Sequence, residues 1–212
     1  MEVKEIDELR KKLQQSCDLL IKKIGKIQIG TPEMFPYGWR KAAKGRTVWR
    51  IVEEIITQNL EKHHTEFKVD SVNASDSEVT VYDMKCAFGT QEAYINIKSA
   101  VVGGKRQKDD ISKAKGLKEF YDEDENRQFF VATFFIQFNN DMSIEIAKAV
   151  VFPIAWIPDI YVNPSNNGNL QSAYYKDMKD SVKRTNKEFL PLFQKAIEEA
   201  NKKKRKKQQK KK

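Results

Sequence analysis

The chain has 212 residues, 40% hydrophobic and 33% charged, which is enough to bury a core in one globular domain. No run approaches the roughly 20 apolar residues of a membrane span, and the charged amphipathic start, MEVKEIDELRKKL, lacks a signal-peptide apolar segment, so a cytoplasmic protein is expected. The net charge of +9 lies in the last eleven residues, KKKRKKQQKKK, whose nine Lys or Arg leave 30 basic against 30 acidic residues elsewhere.

The body is therefore formally neutral, and its pI does not make it a basic DNA-binding surface. We read residues 1–201 as a single domain and 202–212 as a basic tail, either a salt-sensitive phosphate tether or a solvated helix end. Along the chain, Val3, Ile6, Leu9, Leu13, Leu20 and Ile24 predict a first helix over 3–24. An extended loop follows over 30–38, where Pro32 and Pro36 fall. A second helix is predicted over about 40–62, with Val48, Val52, Ile55, Ile56 and Leu60 as its apolar stripe. Glu53 borders that stripe and Glu54 lies on the opposite flank. Just before it, GWRKAAKGRTVWR carries five basic residues with Trp39 and Trp49, either a DNA-backbone contact or a helix start with core tryptophans.

The pattern then changes to period two. Strands are predicted over 66–72, 78–88 and 93–99, then a helix over 109–121 capped by Asp109 or Asp110. The apolar runs 129–138 and 147–157 suit central strands covered on both faces. A polar loop over 158–171 and helices over 172–204, interrupted near Pro191, complete the chain. No internal repeat is present. The order predicts a mixed α/β fold, a central sheet flanked by helices. Cys86 alternates with Tyr82, Met84 and Phe88, which makes it a core thiol.

The hairpin carries the chemistry. With a turn near Thr90–Gln91, Phe88 opposes Ala93 and Asp83 opposes Lys98. Asn96 and Lys98 are two apart, so Asp83, Asn96 and Lys98 leave the same sheet face, while Ile95 and Ile97 point away. An acid beside a lysine suits phosphodiester hydrolysis. The acid holds a divalent cation, and the lysine serves the attacking water or the charge of the transition state. Asp83, Asn96 and the Ile97 carbonyl are the candidate oxygen donors for Mg²⁺.

Asp83, twelve intervening residues and then Asn96-Ile97-Lys98 resemble the PD-(D/E)XK nuclease superfamily over roughly residues 40–138. Tyr82 stands where that family often has proline, and Asn96 where it has a second acid. The resemblance implies a restriction-endonuclease-like fold, a central mixed β-sheet flanked by helices. It also implies a catalytic glutamate from the preceding helix, Glu53 with Glu54 as the alternative. Chain length and layout look most like a type II restriction endonuclease: a prokaryotic, Mg²⁺-dependent homodimer cutting palindromic double-stranded DNA. A repair or junction-resolving nuclease, and a non-catalytic DNA-binding protein on the same scaffold, are the alternatives. Asn96 leaves three readings open: a tolerated neutral residue, an Asp→Asn inactive variant, or an ordinary hairpin with a polar face.

Further candidates concern DNA contact. Lys105, Arg106 and Lys108 follow two glycines directly after the hairpin, as phosphate contacts or as a plain surface loop. Asn166, Asn167, Asn169, Gln171, Tyr174 and Lys176 form an amide-rich segment that suits adenine readout or simple turns. His63 and His64 end a helix without a partner constellation for metal. No phosphate-binding glycine loop and no Ser/His/Asp pattern is present.

Overall fold

The computed structural model describes residues 1–40, 46–75, 80–165 and 168–209, with only the backbone of Arg46 and Thr47. Helix α1 (Val3–Ile24) opens with the Glu5 carboxylate accepting the Glu2 N–H at 2.7 Å and ends at Gly25, whose φ of 62° suits a residue without Cβ. Then come β1 (Lys26–Gln28), α2 (Arg46–His63), β2 (Ser71–Ala74), β3 (Met84–Phe88) and β4 (Gln91–Val101). Strand β5 (Asp109–Lys113), α3 (Ala114–Glu123), β6 (Gln128–Phe138) and β7 (Ser143–Pro153) follow. A 3-10 turn (Ile154–Trp156), β8 (Tyr161–Val162), β9 (Asn169–Ser172) and a second 3-10 turn (Met178–Asp180) lead to α4 (Asn186–Gln209).

Six strands form one mixed sheet in the order β1-β7-β6-β4-β3-β2. Among the described residues only β4 and β6 pair in parallel. Three short strands form a second, antiparallel sheet in the order β5-β9-β8. Helices cover both faces of the large sheet. On one face, Leu9, Leu13 and Leu20 of α1 and Val52 and Ile56 of α2 meet Cys86, Ile95, Ile97 and Phe130. On the other, Leu117 and Phe120 of α3 and Phe189 and Phe193 of α4 meet Tyr94, Phe129, Val131 and Trp156. Strand β6 alternates between the two cores, which is why its sequence is almost continuously apolar. Cys86 is fully buried in the first core, and burial pushes its thiol up to about 12. Trp39 and Trp49 pack partly buried against that core, and the Trp39 Nε1–H donates to the Asn139 carbonyl at 2.7 Å.

Several local expectations are corrected. Residues 64–68 form turns, and the strand there is β2. Met84 begins β3; residues 78 and 79 of the expected strand lie outside the described residues. Tyr82 leaves the Met84–Cys86–Phe88 face and packs against Tyr94 and Phe120, with ring centroids 5.0 and 6.1 Å away. The expected helix over 109–121 is strand β5 and then α3. The expected loop over 158–171 contains β8 and the start of β9. The last helix starts at Asn186 and runs through Pro191 to Gln209, so the described part of the basic tail is helical and mostly exposed.

Candidate active site

The β3–β4 turn fixes the site's register. Gly89 and Thr90 are its two residues, Phe88 pairs with Gln91, and Gly89 has φ 63°. Glycine at the first position of a two-residue loop is the II′ pattern. Met84 then pairs with Ile95, so Asp83, one step earlier, falls opposite Asn96, and the Asp83 N–H donates to the Ile95 carbonyl at 2.8 Å. The expected Asp83–Lys98 pairing is therefore off by two residues. An even shift preserves the face of every side chain. Asp83, Asn96 and Lys98 accordingly still converge.

They line one cleft of about 400 Å³ together with Glu53 and Ile97. Glu53 projects half-buried from α2, whereas Glu54 is exposed, takes the Gln58 Nε2–H at 2.7 Å and does not line this cleft. The Ile97 N–H donates to Asp83 Oδ2 at 2.5 Å. The carbonyl of a strand residue points to the same neighbour as its N–H, so the Ile97 carbonyl also faces the side that β3 has left.

The electrostatics follow from enclosure. Burial raises the Asp83 carboxyl above its ordinary value, against the Ile97 hydrogen bond and the charges of Lys98 and Arg50. Glu53 is raised by burial and then by Asp83. Lys98 is lowered by burial, opposed by Asp83, Glu53, Asp110 and Asp109. Each group is thus held against its charged form.

Asn96 is more than nine-tenths buried. Its Nδ2 donates to the Ile111 carbonyl at 3.0 Å and reaches the Val81 carbonyl at 3.5 Å. Its Oδ1 accepts no hydrogen bond from the described residues. The Ile111 carbonyl belongs to a bulge: β5 pairs Asp110 with Gln171 and Ser112 with Leu170, leaving Ile111 extra. The bulge lies between Asp110 and Ser112, both of which line the cleft. Asp110 is a site residue that sequence reading takes only as a helix cap; the Gln171 Nε2–H donates to its Oδ1 at 2.6 Å.

The expected DNA contacts are gathered nearby but engaged within the protein. Lys105, Arg106 and Lys176 line a groove of about 780 Å³ that shares Trp49, Lys98 and Asp110 with the cleft. Arg106 pairs with Asp180 at 2.8 Å and Asp177 at 3.7 Å, and its guanidinium lies 4.8 Å from the Tyr174 ring centre. Lys176 donates to Asp109. Lys108 lines neither cavity and sits 4.3 Å from the Tyr161 ring centre. Lys148, from β7, joins the groove without having been singled out from the sequence. Asn169 lines the cleft, and its Oδ1 is buried without a hydrogen-bond partner among the described residues. Asn166 and Asn167 lie outside the described residues.

No three His, Cys, Asp or Glu side chains among the described residues stand together as a metal-holding group. The oxygen donors at hand are the Asp83 carboxylate, the Ile97 carbonyl and the free Asn96 Oδ1. A set of one or two carboxylates and neutral oxygens, completed by water and phosphate, is what Mg²⁺ takes. Among the described residues no helix is long and apolar enough to cross a membrane. No protein-family model matches the chain, and no curated protein matches it in sequence.

Proposed function

We propose that this protein is a Mg²⁺-dependent endonuclease of the restriction type, hydrolysing phosphodiester bonds in double-stranded DNA on a restriction-endonuclease-like sheet. The observation that carries the reading is the convergence of Asp83 and Lys98, from adjacent strands, with Glu53 from α2 in one cleft. The cleft opens into a groove whose Lys105 and Lys148 suit a phosphate backbone, while its Arg106 and Lys176 pair with Asp180 and Asp109.

In this reading Asp83, Asn96 Oδ1 and the Ile97 carbonyl would hold the cation, which would supply Lewis acidity toward the phosphate and the attacking water. The Ile97 N–H fixes one Asp83 oxygen and leaves the other free. Lys98 orients the water and takes its proton as the water oxygen bonds to phosphorus. The bond to the leaving oxygen breaks, and that oxygen is protonated from solvent. One cleft cuts one strand, so double-strand cleavage implies a two-fold homodimer on a palindromic site.

The test is incubation with plasmid and phage DNA with Mg²⁺ or with EDTA. Discrete, Mg²⁺-dependent fragments are expected. Intact DNA under both conditions, with binding retained, contradicts the catalytic reading and leaves a DNA-binding protein.

A further inference from the structure

The hairpin offers one carboxylate to a cation, and the position expected to hold a second carries an amide. The structure shows where another acid stands. Asp110 lines the same cleft from the opposite wall, on the strand whose bulged neighbour Ile111 accepts the Asn96 amide hydrogen bond. We propose that Asp110 supplies the second carboxylate of the cation site, while Asn96 both donates its free Oδ1 and latches β5 in place.

Three observations converge on this assignment, which rests on the nuclease reading above. Asn96 is almost wholly buried, its amide N–H groups are committed to main-chain carbonyls, and its Oδ1 is left unpartnered where it lines the cleft. Asn169, on the strand paired with β5, also lines the cleft and buries an Oδ1 that has no partner among the described residues. A buried oxygen without a donor calls for an explanation, and a cation satisfies acceptor-only atoms. Finally, Asp110 is oriented: Gln171 fixes Oδ1 and leaves Oδ2 unbonded among the described residues.

Two carboxylates from different sheets, plus amide and main-chain oxygens, match the habit of Mg²⁺ without any cluster of three acids. The latch also explains why position 96 is an amide. A carboxylate there would face the Ile111 carbonyl with no proton to donate and would push β5, and Asp110 with it, away from the hairpin. Asp109, the adjacent acid, is tied to Lys176 and lines the groove rather than the cleft. It is therefore the natural control for charge alone.

The experiment measures Mn²⁺ binding by electron paramagnetic resonance, with and without duplex DNA, on the full chain and on Asp83→Asn, Asp110→Asn and Asp109→Asn. Asp110→Asn is isosteric and keeps an acceptor for Gln171, so the fold is expected to persist; circular dichroism checks it. The expected result is a loss of affinity of about tenfold or more for both Asp83→Asn and Asp110→Asn, with Asp109→Asn close to the unsubstituted protein. Wild-type affinity in Asp110→Asn alongside a loss in Asp83→Asn overturns the assignment and leaves the nuclease reading standing. Equal losses in Asp110→Asn and Asp109→Asn overturn it too, because only the field of the acids would then matter. No Mn²⁺ binding by the unsubstituted protein under either condition removes the nuclease reading and this assignment together.

Discussion

Asn96 and Ile111 join the two sheets: the Asn96 Nδ2–H donates to the Ile111 carbonyl at 3.0 Å, across from the β3–β4 hairpin to the bulged strand of the small sheet. An amide performs this contact and a carboxylate does not. The residue that departs from the nuclease pattern is thus suited to its own surroundings.

Restoring the acid is therefore expected to weaken the fold. Asn96→Asp loses a buried donor and leaves the Ile111 carbonyl unpaired, a cost of about 1–3 kcal/mol. Protonation of the new carboxyl restores a donor, so its native pKa lies above the unfolded one, and the deficit grows as pH rises through that window. Urea denaturation at pH 4 and pH 7 checks both points. Equal or greater stability than the unsubstituted protein at pH 7 would contradict the latch.

Asp83 and Glu53 make the metal-free protein less stable as pH rises. Both carboxyls are raised above their ordinary values of 3.8 and 4.5, chiefly by burial. The native state then binds more protons than the unfolded state, so their contribution is lost as pH climbs through the window above those values. In EDTA, Asp83→Asn is expected to gain about 1 kcal/mol at neutral pH and to flatten this decline, since the amide oxygen can still accept the Ile97 N–H. An unchanged pH slope would show that Asp83 is not held against its charge.

The basic end of α4 is expected to govern non-specific affinity alone. Lys202–Lys207 is helical and lies beyond Ala200, the last buried residue of α4. Deleting residues 202–212 should lower affinity for random DNA and reduce the slope of log K against log salt by about 0.9 for each phosphate that the tail had neutralised. Any preferred cleavage site should be unchanged. An unaltered slope, read by fluorescence anisotropy across a salt series, removes this helix end from the DNA interface.

Thr133 gives a test of packing beside the site. It pairs with Lys98 across the parallel β4–β6 ladder, and its hydroxyl is buried with no hydrogen-bond partner among the described residues. Thr133→Val removes that unsatisfied group at nearly constant shape and is expected to stabilise by about 1 kcal/mol. A clear loss of stability by thermal denaturation would show that the hydroxyl has a structural partner.

The sequence exposed the face of the hairpin's polar residues better than their register. Period-two alternation placed Asp83, Asn96 and Lys98 on one side, and that survives any even slip. The turn was legible too: Gly89-Thr90 is a II′ signal, and reading it would have set Asp83 opposite Asn96. Glu53 rests on the resemblance, which implies a glutamate from the helix before the hairpin, and the structure puts Glu53 rather than Glu54 at the cleft. Asp110 was hidden for a physical reason. Ile111, Ala114 and Leu117 repeat every third residue, which imitates a helix, while strand β5 exists only through pairing with β9, a four-residue strand inside a polar segment. A bulge leaves no mark in a single sequence. The basic residues were visible, but not their pairing: Arg106 and Lys176 are neutralised by Asp177, Asp180 and Asp109.

The most direct measurement is of Lys98→Ala, with DNA affinity and single-turnover cleavage determined on the same sample in Mg²⁺. If Lys98 serves the attacking water, affinity stays near that of the unsubstituted protein while the cleavage rate falls by about 10²–10⁴-fold. Equal loss of both, or cleavage at the unsubstituted rate, would contradict a catalytic role for the cleft that Asp83 and Lys98 share.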